Sequence, residues 1–176
     1  MSPTDWLLAS VVLLLVVLSA MLAIAETSMT RISKVKAMAL ADDKRRGAGL
    51  LSSLLEHPER FLNTILLSVL IVQTVQTSLA TIVGVNLAGR VWGSIGAVLF
   101  NVLLTFIVAE AAPKTWALQH TERAALLTAP LVRVLLAFPP LSLLTKLFIV
   151  LSNVITPGKG MLHLGTGEHM TVTTPM

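Results

Sequence analysis

Long uncharged apolar runs alternate with short charged stretches along this chain. Trp6 to Ala25 carries no charge over about twenty residues, enough to cross the hydrocarbon of a bilayer as a helix. A cleaved signal peptide fits poorly, because MSPTDW has no basic residue and the apolar run is longer than an h-region. The run also ends in Glu26 and Thr27 rather than at a plain cleavage site, so a retained transmembrane helix is predicted. Phe61 to Gly89 is likewise uncharged and longer than a span needs. It predicts a crossing from Leu62 to about Val83, then a loop through Gly84–Gly89. Val91 to Ala109 predicts a third span, uncharged until Glu110.

Arg31 to Arg60 reads differently. Charged residues are dense here, while Met38, Leu40, Leu50, Leu51, Leu54 and Leu55 recur at helical spacing. This pattern predicts a short amphipathic helical hairpin at the membrane surface, turning near Gly47 and Gly49, with Pro58 starting the next helix. Ala124 to Ile155 is apolar but interrupted by Pro130, Arg133, Pro139, Pro140 and Lys146. A fourth full span would bury Arg133 or Lys146 at about 2.5–3.5 kcal/mol each. Broken, interfacial helices wrapped around the bundle avoid that cost and are the favoured reading. The tail from Gly158 is expected to be disordered. No internal repeat is visible. The fold class is therefore an all-α membrane protein, with three transmembrane helices and juxtamembrane amphipathic belt helices.

Composition agrees with this class. Of the 176 residues 55% are hydrophobic and 12% charged, about half the charge of a soluble domain. The absence of cysteine excludes a disulfide-stapled module and a zinc–thiolate site. The 13 Lys and Arg exceed the 9 Asp and Glu, for a net charge of +4. Arg31, Lys34, Lys36, Lys44, Arg45, Arg46 and Arg60 precede the second span, and Arg90 alone separates it from the third. The positive-inside rule then places the Arg31–Arg60 loop in the cytoplasm, the N-terminus outside and the C-terminus in the cytoplasm. The basic excess reports topology rather than a nucleic-acid partner. The expected location is the plasma or inner membrane, as a multi-pass protein whose partner is the lipid bilayer.

Candidate chemistry lies at the ends of the spans. The first and third spans run the same way in this topology, so Glu26 and Glu110 reach similar depth near the cytoplasmic side. The second span enters from that side, bringing Asn63, Thr64 and Ser68 to the same level. Thr64 and Ser68 share a helix face. Deeper lie Gln73, Thr74, Gln76 and Thr77, of which Gln73, Gln76 and Thr77 share a face, and Asn101 adds an amide from the third span. A carboxylate at membrane depth is expensive unless partnered, and so is a functional candidate. Pro113 follows Glu110 in AEAAPKT. It offers no N–H and clashes with the carbonyl of Ala109, so a helix break is expected there, with carbonyls freed beside Glu110. These oxygens suit Mg²⁺ or Na⁺ rather than a soft metal.

Plainer readings compete. The hydroxyls of Thr64, Thr74 and Thr77 can bond back to their own helix, and Gln73 and Gln76 can join helices. Glu26 can pair with Arg31, and Glu110 with Lys114 one turn on. Trp6, Trp92 and Trp116 mark membrane interfaces, and His57 and His120 read as solvated loop residues.

Three segments resemble the transmembrane domain of the CNNM/CorB/CorC group, the cyclin-M-like magnesium transporters. AETSMTRISK (Ala25–Lys34) is similar to the family's S-x-x-E-T-A pattern. HPERFLNTILLSVLIVQTV (His57–Val75) resembles its D-P-x-x-F-L-x-T-x-L segment, which ends in G-N-N. VAEAAPKTWALQH (Val108–His120) looks like its G-E-x-x-P-K-T segment. Order and spacing match too, so the resemblance covers about residues 5–157, and residues 1–157 are expected to form one such domain. It implies a homodimer, three transmembrane helices per subunit, a cytoplasmic belt, and a dehydrated Mg²⁺ site between the helices and open to the cytoplasm. Carried over by position, Glu110 matches the ligand glutamate and Glu26 the first-helix glutamate. Ala109 stands where the family has Gly, its carbonyl still available.

Some positions depart from the pattern. Ala23 replaces the first-helix serine, Ser68 the glycine, and Val69 and Leu70 the two asparagines of the second-helix motif. Gln73 falls on a later polar position, where an amide oxygen could substitute. Relatives usually continue into paired CBS domains that bind adenine nucleotides. Residues 158–176 are read as a tail with no CBS pair, so no ATP site is expected in this chain. The expected function is Mg²⁺ or other divalent-cation transport or export, with Na⁺ open as a coupling ion. Its site would be lined by Glu110, Glu26, Ser68, Gln73 and the Ala109 carbonyl. Pro113 and Lys114 would shape the helix, and Asn63, Thr64 and Gln76 are secondary polar candidates. The alternative is a non-transporting membrane anchor or assembly subunit, partnered by a chain that carries CBS domains. An intramembrane enzyme is disfavoured, since the spans offer no His, no Cys and no H-E-x-x-H.

Overall fold

The computed structural model describes residues 3–138 and Leu144. Every element with stated bounds among them is helical. In chain order they are α1 (Pro3–Arg31), α2 (Lys34–Asp42), α3 (Ala48–Leu54), α4 (Pro58–Ala88), α5 (Arg90–Leu104), a π-helical segment (Thr105–Ala111), α6 (Ala112–Gln119) and α7 (Thr121–Ala137). Three helical stretches are long and apolar enough to cross a membrane: Pro3–Arg31, Arg60–Ala88 and Arg90–Gln119. The third is continuous through α5, the π segment and α6.

α1 and α4 run antiparallel. At one end Asn86 Nδ2 donates to Asp5 Oδ1 at 2.8 Å, and at the other Met29, Phe61 and Ile65 share one buried cluster. That cluster also takes in Ala37 and Leu40 of α2, Leu51 and Leu54 of α3, and Ala125, Ala129 and Val132 of α7. The tightest packing therefore sits at the end bearing Arg31–Arg60, called the basic end below. The far end is where Asp5 meets Asn86.

The predicted helical hairpin forms; Leu40, Leu51, Leu54 and Leu55 are buried as their spacing suggested, whereas Met38 is exposed. Ser33 caps α2, its hydroxyl accepting from the Lys36 N–H at 3.2 Å, and α3 begins directly after Gly47. Pro58 opens α4, where a missing N–H costs nothing. Lys36 Nζ lies 2.9 Å from Glu122 Oε1, joining α2 to α7.

Two expectations need correction. Gly84–Gly89 is not a loop: α4 runs on to Ala88, and Gly89 alone makes the turn at φ 81°, a backbone state that favours glycine. Gly84 stays helical because it packs against Gly93 of α5 too closely for any side chain; a Cβ on either glycine would strike the other's carbonyl. Nor does Pro130 interrupt its helix. It lies within α7, which continues to Ala137 with Arg133 exposed. α7 packs against α1, α3 and α4 at the basic end, as an interfacial belt helix would. Apart from Leu144, the expectations for 139–155 and for the tail from Gly158 lie outside the described residues.

Candidate ion site

Pro113 shapes the third span. Its ring crowds the Ala109 carbonyl and it has no N–H to give. The helix widens instead of breaking: over Thr105–Ala111 it takes π geometry, and the Ala112 N–H reaches back five residues to the Ile107 carbonyl. Pro113 then sits, buried, in the first turn of α6, where the missing N–H is tolerated. The break expected at Pro113 is thus a widened turn in a continuous helix. Such turns recur at functional sites. This one carries Glu110, with Ala109 fully buried beside it.

Glu110 is half-buried and bound across the bundle. Gln73 Nε2 on α4 donates to Glu110 Oε1 at 2.9 Å. Glu26 on α1 faces the same region, and its Oε2 lies 3.4 Å from Lys114 Nζ. Lys114 therefore turns to α1 rather than to Glu110 within its own helix, and Glu26 pairs across the bundle rather than with Arg31. The two carboxylates stand at one end of the bundle, each held by a donor from another helix.

The hydroxyls follow the plainer reading. Thr64 donates to the Arg60 carbonyl at 2.8 Å and Ser68 to the Thr64 carbonyl at 2.7 Å, while Thr74 and Thr77 bond back to Leu70 and Gln73. Thr64 and Ser68 are buried on one face, and each oxygen keeps acceptor capacity. Asn63 is exposed and is not brought to this group. Ala23 is buried in α1, Val69 packs beside the basic-end cluster, and Leu70 is exposed. No group of three or more His, Cys, Asp or Glu side chains comes together among the described residues. A cation held here would rest on at most two carboxylates, completed by hydroxyl, amide and backbone oxygens. That donor set suits a hard cation.

Farther from the basic end lies a neutral network. Gln76 Nε2 donates to Asn101 Oδ1 and to Thr105 Oγ1, both at 2.8 Å. Asn101 Nδ2 donates to Thr77 Oγ1 at 2.9 Å. Gln73, Gln76 and Thr77 share a face, as their spacing predicted, and that face meets the third span.

Some polar partners were not legible in the sequence. The Asp5–Asn86 bond was missed because Asn86 fell in the presumed loop. Ser19 and Thr105 were lost among apolar neighbours. Trp116 and His120 stack at 5.3 Å, and an i, i+4 aromatic pair was the available signal. His57 and His120 are exposed, as expected, and so is Trp92.

Three spans, a belt at the basic end, and a widened turn bearing a carboxylate between the helices define a multi-pass membrane protein. Comparison with known proteins gives its family. The sequence profile described as the cyclin M transmembrane N-terminal domain matches residues 10–174, and the chain belongs to that family. It is 30% identical over 142 residues to a UPF0053 protein of Haemophilus influenzae, covering 78% of this chain and 33% of that protein. It is 31% identical over 134 residues to the UPF0053 inner membrane protein YfjD of Escherichia coli, covering 74% of this chain and 29% of YfjD. A UPF0053 protein of Mycobacterium tuberculosis is 29% identical over 155 residues, 88% of this chain and 34% of that one. The chain spans about a third of the length of these relatives.

Proposed function

We propose that this chain moves Mg²⁺, or a divalent cation like it, across the plasma or inner membrane, as one subunit of a homodimer. The observation that carries this reading is the π turn. It puts an acidic side chain between the helices at membrane depth, where an unpartnered carboxylate is costly and a functional one is repaid. In the bound state Glu110 supplies charge. Gln73 turns its amide so that Oε1 rather than Nε2 faces the ion, and Ser68 and the Ala109 carbonyl add dipoles. Glu26 joins once Lys114 swings away. The basic end faces the cytoplasm in this reading, and Na⁺ is the candidate coupling ion.

A second reading has a specific observation behind it. Both carboxylates are already engaged by the protein's own donors, Gln73 and Lys114, and apolar Val69 and Leu70 stand where the family pattern it resembles has two asparagines. A non-transporting anchor or assembly subunit, working with a CBS-bearing chain, would look like this. Calorimetry of the purified protein separates the two. Transport predicts saturable Mg²⁺ binding that Glu110→Ala removes and Asn63→Ala leaves intact. Absence of binding in the wild type favours the anchor.

A further inference from the structure

Two buried oxygens have no hydrogen-bond partner among the described residues: Ser19 Oγ on α1 and Gln76 Oε1 on α4. Gln76 is fully buried and Ser19 nearly so. Both lie within membrane spans, where an unsatisfied polar atom has no water to turn to and is costly. Most other span hydroxyls bond back to the preceding turn; Ser19 does not.

The amide orientation of Gln76 is set by its neighbours. The Thr77 hydroxyl donates to the Gln73 carbonyl, so its oxygen accepts from Asn101 Nδ2. That turns Asn101 Oδ1 toward Gln76, which must answer with Nε2. The same nitrogen reaches Thr105. Oε1 is therefore directed away from this network.

Helix register sets the two side chains at similar depth. Asp5 touches Asn86, and Ser19 lies almost four turns, about 21 Å, farther along α1, returning to nearly the same face. In the antiparallel pair Ser19 falls level with Val72 and Gln73. Gln76 is offset by about 6 Å along the axis and stands about a quarter-turn from the Asn86 face, between α1 and α5. Side chains lean toward the N-terminus of their own helix. Because α1 and α4 are antiparallel, Ser19 and Gln76 lean toward each other and close that offset.

We propose that one buried water bridges Ser19 and Gln76, accepting from the Ser19 O–H and donating to Gln76 Oε1. Both partners, a hydroxyl and an amide oxygen, are neutral and suit water, whereas a bare cation would be desolvated with no charge among its direct partners. The bridge ties α1 to the amide network that joins α4 to the third span. It makes a hydrated node about one turn from the Gln73–Glu110 bond. The inference does not depend on which ion, if any, the chain moves.

A high-resolution structure of the wild-type protein in lipid tests this directly. The expected result is density for a single atom within hydrogen-bonding distance of both oxygens. A Ser19 hydroxyl bonded back to the Leu15 carbonyl, with no such density, overturns it. Thermal melts of Ser19→Ala, Gln76→Met and the double variant give a second readout. The double variant should melt no lower than the worse single one, since either change removes the same bridge. Additive losses overturn the proposal. So does a wild-type melting temperature that rises with Na⁺ over N-methylglucamine and loses that rise in Ser19→Ala, because a cation would then hold the site.

Discussion

The two ends of this bundle are built on different principles. At the basic end Phe61 is 1% exposed and Leu51 fully covered, packed by α2, α3 and α7 as in the core of a soluble domain. At the far end Trp92 is 78% and Phe100 67% exposed, and an apolar cleft of about 570 Å³ opens between α1, α4 and α5. Lipid tails are as apolar as leucine, so a side chain within the span such as Phe100 gains little from burial, and Trp92 suits the interface at that end. It holds together through close backbone approach at Gly84 and Gly93 and through the Asp5–Asn86 bond. The basic end meets water and headgroups, where burial is rewarded. The candidate ion site lies next to the end that is rigidly packed.

This contrast can be broken by substitution. The largest effect is expected from Phe61→Ala, which leaves a cavity in the basic-end core and should cost about 3–5 kcal/mol. Phe100→Ala, facing lipid, should leave the melting temperature in detergent nearly unchanged. Equal losses for the two would erase the distinction between the ends. Gly93→Ala comes next. Its methyl meets the Gly84 backbone, which cannot give way as a side chain could, so α4 and α5 must part at about 1–3 kcal/mol. Disulfide trapping between cysteines placed on the two helices would report the separation.

Smaller losses sharpen the picture. Asn101→Leu removes the acceptor of Gln76 and the donor to Thr77. Membrane hydrogen bonds of this kind are worth about 0.6–1.7 kcal/mol, and steric-trap unfolding in bicelles can resolve that. Lys114→Met should cost least, under about 1 kcal/mol, because its pair with Glu26 is partly solvent-exposed. If it proves as costly as Phe61→Ala, the charge pair rather than the apolar core holds the basic end.

The fold was largely legible from residue pattern. Three uncharged runs gave three spans, and apolar spacing in Met38–Leu55 gave the hairpin. Glycine misled at Gly84, because a glycine that admits a neighbouring backbone looks the same in sequence as one that turns the chain. Proline misled at Pro113 for a related reason: sequence shows the lost N–H and the ring clash, but not whether the helix breaks or widens. For the site, face-sharing of Gln73, Gln76 and Thr77 was readable at 3.6-residue spacing. The partner of each was not, since Lys114 could reach either Glu110 or Glu26 and only the packing of α1 against α6 decides. Asn63 shows the converse. It shares the depth of Thr64 but sits on the outer face of α4, and depth alone could not separate them.

The central claim is that the carboxylate in the π turn is where the ion binds. Mg²⁺ flux into proteoliposomes containing wild-type protein or Glu110→Ala tests it most directly. Flux should be present in the wild type and lost in the variant, with the fold and dimer formation preserved. Unchanged flux in a folded Glu110→Ala protein would contradict the account.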